Sequence, residues 1–287
     1  MQITTWKDRG QLSIALQHLL SSTLAAATAL ALSGSTALAQ GSGHVELHVN
    51  PRWKECSFQL DPSLTQAAWH QFTAEAGVVT YFRPLVGAEP MGAGKFEVSL
   101  LQWKTRIDAA DAAWNDTFVH PDSTHWLFEG SGLAFPGITV RAGLTDRTDV
   151  GAYVTKSPGA NYGFYGAQVQ HSLFHDTAKG WSAAARLSFV SMYGPDDLDF
   201  TVYGMDLVAS RKYALSFARA SIEPYVGVST SLSRAHETTS AVDLEDENIL
   251  GAQATIGAVT AISVARIGVE YGFAKVSSLS LKVGIAR

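Results

Sequence analysis

Cysteine is all but missing from this 287-residue chain, with Cys56 the only one. No intrachain disulfide can form, which excludes a small secreted scaffold braced by cystines. Charge is scarce as well: 16% of residues are Asp, Glu, Lys or Arg against 46% hydrophobic, the reverse of the balance that keeps a chain disordered. There is no basic surplus either. A formal net charge of -5 leaves no clustered cationic surface for phosphate contacts, so no nucleic-acid partner is expected. A Gly-rich phosphate loop entering a helix is lacking, as is a Cys/His cluster, and no cofactor or structural metal is expected. Past residue 39, no apolar run reaches the roughly 20 residues that a membrane-spanning helix requires.

What is present starts with an export signal. Lys7 and Arg9 give a basic start, residues 24–32 a short apolar core, and Ala37-Leu38-Ala39 a small-x-small cleavage site, so residues 1–39 read as a secretory signal peptide. No cysteine follows the cleavage site to carry a lipid anchor. From Gly94 onward, apolar and polar positions alternate in segments of 9–15 residues separated by turn residues, the pattern of a transmembrane β-barrel. Leu187 and Phe189, Val226 and Val228, and Leu281 and Val283 fall on one face of their segments and are expected to meet lipid. A soluble β-sandwich would also alternate. Strand length, aromatic residues at segment ends (Trp181, Tyr193, Tyr213, Tyr271, Phe273) and the export signal favour the barrel.

Ten segments fit: 94–106, 135–144, 149–157, 161–174, 180–193, 198–212, 220–234, 248–259, 262–274 and 277–286. The links 107–134 and 235–247 are long and occur in the same phase, which places them on the outside and starts the first strand in the periplasm. Adding 44–50 and 77–85 would give twelve strands. Composition favours ten, because residues 61–66 (DPSLTQ) look like a helix start with Ser63 and Gln66 at capping-box spacing, followed by Leu64, Ala68, Phe72 and Ala76 at helical spacing. This helix of about four turns should end near Gly77. It lies either against the periplasmic mouth, as a surface helix, or in the lumen as a plug. The division is thus 1–39 signal peptide, 40–93 periplasmic or plug segment, and 94–287 barrel.

The stretch 61–100, with its Ser63-Leu64-Thr65-Gln66 start and Ala88-Glu89-Pro90-Met91-Gly92, resembles the N-terminal region of an uncharacterised group of proteobacterial outer-membrane proteins. Residues 141–151 (RAGLTDRTDVG) and 223–227 (EPYVG) resemble phrases common to outer-membrane barrels. The resemblance implies a barrel in the bacterial outer membrane and brings no activity with it. One departure concerns the barrel-assembly machinery, which usually recognises a terminal aromatic residue. This chain ends Gly284-Ile285-Ala286-Arg287, so either the signal is read from an earlier position such as Phe273 or the barrel inserts less efficiently.

On the face opposite the lipid stripe lie Glu97, Arg141, Arg186, Asp206, Glu223, Arg266, Glu270 and Lys282, four acids and four bases. Charges in a narrow lumen are costly unless paired, so a cross-barrel salt-bridge network is expected, with Arg266, Glu270 and Lys282 forming one part of it. Ten strands leave little room for a wide pore. The expected protein is therefore an all-β antiparallel transmembrane barrel of about ten strands with a short N-terminal helix. Its expected role is non-enzymatic, as a narrow channel for small or apolar solutes or as a structural envelope protein. Its partners would be membrane lipids, lipopolysaccharide, the assembly machinery and a small-molecule solute. The competing reading is a lipid-modifying outer-membrane enzyme using His120, Asp122, Ser123 or His125 of the long link, of which His120, Asp122 and His125 also have the chemistry of a zinc site. The acidic residues Asp243, Glu245, Asp246 and Glu247 are best read as a solvated loop.

Overall fold

The computed structural model describes residues 57–108, 110–119, 137–156, 159–216 and 220–287. Its elements are β1 (Ser57–Phe58), α1 (Gln66–Val79), β2 (Phe96–Thr105), α2 (Ala112–Asn115), β3 (Phe118–Val119), β4 (Gly137–Gly143), β5 (Thr148–Lys156), β6 (Gly163–Asp176), β7 (Trp181–Tyr193), β8 (Leu198–Arg211), β9 (Tyr213–Ala214), β10 (Ala220–Glu237), β11 (Glu247–Ile262), β12 (Ala265–Phe273) and β13 (Ser278–Ala286). Ten strands, β2, β4 to β8 and β10 to β13, form one antiparallel sheet in which β13 pairs with β2 and β10 with β11. The sheet therefore closes on itself as a ten-stranded barrel. The ten segments expected from alternation each overlap one of these strands, with β5, β6, β10 and β11 running one to four residues past the expected bounds. The twelve-strand alternative fails at 77–85, where Gly77 to Val79 belong to α1 and the rest pairs with no strand. Residues 44–50 lie outside the described residues.

Because successive side chains in a strand point to opposite faces, a closed sheet sorts them into an outside and a lumen. Leu187 is 62% exposed and Val228 60%, whereas their neighbours Arg186 and Ser229 are buried. Phe189, Val226 and Leu281 are exposed in the same way. Val283, which shares their face, is half-buried. A belt of this kind is stable only against hydrocarbon. Leu187→Arg should thus lower the unfolding free energy of protein refolded in lipid vesicles by about 2 to 4 kcal/mol. The exposed-turn change Ala178→Arg should alter it by less than about 0.5 kcal/mol in the same urea titration. Equal losses at both sites would mean that the belt does not face lipid.

The two mouths of the barrel differ. One carries the short connections 144–147, 177–180, 212–219 and 263–264, together with the start of β2. The other carries 106–136, 157–162, 194–197, 238–246 and 274–277. Phe273 ends β12 at this second mouth. It is therefore at the opposite end of the barrel from Ala286, where β13 ends.

Helix α1 starts one turn detail away from the expected position. Thr65, not Ser63, is the cap, accepting from Ala68 N at 3.3 Å, while Asp61 takes both Ser63 N (2.8 Å) and Ser63 Oγ (2.6 Å) in the preceding turn. With Ala68 in the third helical position, no side chain can reach back to complete a capping box. The helix runs past Gly77 to Val79. It is not a surface helix at the periplasmic mouth: Trp69, Phe72, Ala76 and Val79 are each 2% exposed or less, packed with Phe58, Trp114, Tyr162 and Phe200 inside the mouth that bears the longer connections. Burying each such aromatic side chain contributes roughly 1.5 to 3 kcal/mol, which favours the helix inside the barrel over a surface position.

Candidate functional site in the lumen

From Thr80 to Ala93 the chain is neither helix nor strand, and its backbone groups must find partners outside regular structure. The barrel wall supplies them. Trp103 Nε1 donates to Val79 O at 2.8 Å, and Tyr81 donates to Asp206 Oδ1 at 3.0 Å. Arg186 donates to Val86 O (2.6 Å), Gly87 O (2.9 Å) and Gln170 Oε1 (2.8 Å). Ala88 N donates to Ser210 Oγ at 2.9 Å and Glu89 N to Glu223 Oε1 at 3.2 Å. Met91 N donates to Asp149 Oδ1 at 3.1 Å, and Arg141 donates to Glu89 O at the same distance. Pro84 and Pro90 have no N–H to satisfy. Residues 80–93 therefore form a strap tied to β4, β5, β7, β8 and β10, with the end of α1 tied to β2. Gly204 leaves space for it, since a Cβ there would lie 2.6 Å from the Tyr81 ring.

Residues 88–92, 141–151 and 223–227 meet at this strap. Ala88-Glu89-Pro90-Met91-Gly92 is held by Asp149 and Arg141 of the second stretch and by Glu223 of the third. Their separation in sequence hides this convergence.

The eight charged positions are arranged as follows. Glu97 and Lys282 form an ion pair of 2.6 Å, both almost fully buried, with Ser99 Oγ also donating to Glu97 at 2.9 Å. Lys282 faces Leu101 in register and reaches Glu97 across Gly284, which has no side chain to intervene. Arg141 pairs with Asp149 at 2.5 Å. Arg186 and Asp206 stand directly opposite each other on β7 and β8, yet Arg186 is turned to the strap carbonyls while Asp206 accepts from Tyr81 and Ser229. Glu223 accepts from Ser210 Oγ at 2.6 Å and Glu270 from Tyr225 Oη at 2.8 Å. The expected grouping of Arg266, Glu270 and Lys282 does not occur. Arg266 sits at the rim and donates to the carbonyls of Ser263 and Ala265, because it is next to the turn rather than down the strand.

Two charges of the lumen were not anticipated. Asp149 begins the inward face of β5, at the very edge of its segment, where parity alone would have placed it beside Tyr153. Arg83 belongs to the strap and is fully enclosed, donating to Val78 O, Val79 O and Tyr81 O, with no carboxylate within 4.0 Å among the described residues. Its role as the positive charge on the carbonyl end of α1 follows from the helix dipole.

Little space remains. A cavity of about 20 Å³ lies beside Phe82 among Arg141, Asp149, Gln168, Gln170 and Lys282, room for about one water. A vestibule of about 310 Å³ opens at the short-turn mouth between Glu89, Lys95, Lys212 and Arg266, with Lys212 paired to Glu89 at 2.8 Å. At the opposite mouth β10 continues past its last apolar outward residue, Leu232. There His236 Nδ1 lies 2.6 Å from Asp246 Oδ1, a hydrogen bond that holds the imidazole pKa above its usual value. Among the described residues no group of three or more His, Cys, Asp or Glu side chains could hold a metal ion. His120, Asp122, Ser123 and His125 lie outside the described residues.

No protein-family model matches the chain, and no curated protein is similar to it. Several solved structures share its general architecture. The β domain of the Bordetella autotransporter BrkA is 10% identical with a TM-score of 0.40, covering 68% of this chain and 100% of its own. An outer membrane channel from Pseudomonas putida F1 is 10% identical with a TM-score of 0.41, covering 72% and 100%. The N-terminal β-barrel domain of Pseudomonas aeruginosa OprF is 11% identical with a TM-score of 0.28, covering 68% and 99%. At these values the likeness is one of barrel architecture and assigns no activity.

Proposed function

We propose that this protein is a non-enzymatic barrel of the bacterial outer membrane, a narrow conduit for small solutes whose own N-terminal segment keeps it closed. The apolar belt supports residence in lipid, with membrane lipids and lipopolysaccharide as its surroundings. The observation that carries closure is the strap, which is bound to five strands by side-chain hydrogen bonds, with a cavity of about one water beside Phe82. An eight-stranded barrel is already filled by its own side chains, so ten strands plus an inserted segment leave no room for free diffusion. The protein should fractionate with outer membranes, resist washing without detergent and migrate on gels in a heat-modifiable way. In planar bilayers the intact protein should show small or no conductance. A large, steady conductance of the intact chain would remove the closed-conduit reading. Release from washed cells would remove the membrane reading.

A further inference from the structure

The strap and helix record a direction. Gly94 N bonds Gly143 O at 3.0 Å, so the chain enters β2 at the short-turn mouth. Going backward from there, Ala88 is held by Ser210, Tyr81 by Asp206, and Phe72 lies 6.1 Å from Phe200, ring centre to ring centre. Those three partners, at positions 210, 206 and 200, lie on the inward face of β8 in order from its short-turn end to its other end. Strand β10 repeats the order, with Glu223 holding Glu89 and Ser233 lying against Gly77. From position 210 to 200 a strand rises about 33 Å, which at the usual barrel tilt is about 25 Å along the axis, the height of a transmembrane apolar band.

Beyond the helix the chain is fastened to three connections of the far mouth. Leu60 N donates to Asp197 Oδ2 and Phe58 N to Asn161 Oδ1, both at 2.9 Å, and Asp61 N donates to Asp116 O at 2.9 Å. Ser57 is paired there through β1 and β3.

We infer that the polypeptide preceding Ser57 is carried through the barrel and displayed on the side of the long connections, the cell surface. This rests on the outer-membrane reading above, with short turns in the periplasm. Threading itself rests only on the contacts along β8 and β10. To regain the periplasm, residues 40–56 would have to pass back through a lumen that 57–93 already fill.

The lone cysteine is a built-in probe. Full-length protein in intact Gram-negative cells is treated with a bulky, membrane-impermeant maleimide, before and after permeabilisation of the outer membrane. Two reporters in a Cys56→Ser background fix the sides: Ser240→Cys in connection 238–246 and Ala178→Cys in turn 177–180, both exposed. A third, Ser42→Cys in the same background, reads the segment's side should the Cys56 thiol itself be shielded. Cys56 or Ser42→Cys should label in intact cells to the same extent as Ser240→Cys, with Ala178→Cys labelling only after permeabilisation. Labelling of both N-terminal thiols only together with Ala178→Cys would overturn the threading. If Ala178→Cys alone labels in intact cells, the barrel is inserted the other way round and surface display is rejected. Failure of the whole set to fractionate with outer membranes rejects the membrane reading itself.

Discussion

Excision of residues 57–93 should turn a silent barrel into a conducting, cation-selective one. The wall of the lumen carries Arg141, Arg186 and Lys282 against Glu97, Asp149, Asp206, Glu223 and Glu270, two acids in excess. The excised segment carries Arg83 against Asp61, Glu75 and Glu89, so its removal takes away the obstruction and leaves the two excess acids of the wall in place. A lumen bearing surplus negative charge concentrates cations, because counter-ions are drawn to fixed charge within a low-dielectric channel. Arg186 and Asp206 would then be free to pair directly, since the β7–β8 register already sets them opposite each other. Planar-bilayer recordings of the excised barrel should show discrete openings absent from the intact protein. Under a salt gradient the reversal potential should have the sign of cation preference. Anion preference would mean that the wall charges have been misassigned, and unchanged silence would mean that the strap is not the obstruction. The milder variant Arg186→Gln, which weakens the ties to Val86 and Gly87, should give brief openings of the same selectivity.

Breaking the Glu97–Lys282 pair should be the most destabilising single change of charge. Both groups are almost fully buried, and the ammonium has Glu97 as its ion-pair partner at 2.6 Å. Lys282→Met leaves the Glu97 carboxylate in the lumen without a counter-charge, and Glu97→Gln does the same to the ammonium. Loss of one partner of a buried pair costs about 3 to 5 kcal/mol, whereas replacing both by groups of similar shape can be nearly neutral. Urea unfolding in lipid vesicles should therefore show a large loss for each single variant and a much smaller one for Glu97→Gln/Lys282→Met. A double variant as unstable as the sum of the singles would show that the two side chains act independently, and the pair would then contribute nothing as a pair.

Strand positions and the sorting of side chains into two faces were legible in the sequence, because both follow from a local period of two that each segment carries by itself. Val226, Ser229 and Leu281 needed no partner strand for their direction to be read. The helix was legible as well, though its cap was not: Thr65 and Ser63 are both good caps, and only the turn closed by Asp61 decides between them. Arg266 shows where parity stops being informative, since a side chain beside a turn has carbonyls within reach that a mid-strand residue lacks.

By itself, then, the sequence determined the barrel segments, the lipid-facing residues and the presence of an N-terminal helix. The path of the chain through the lumen, the mouth at which the helix sits and the partner of each charge were decided only by tertiary structure. The physical reason is distance along the chain. Tyr81 finds Asp206 across 125 positions and Lys282 finds Glu97 across 185, and neither contact leaves a trace in local periodicity. A strap without regular structure has no period at all, and its hydrogen bonds exist only once the wall that supplies them has closed.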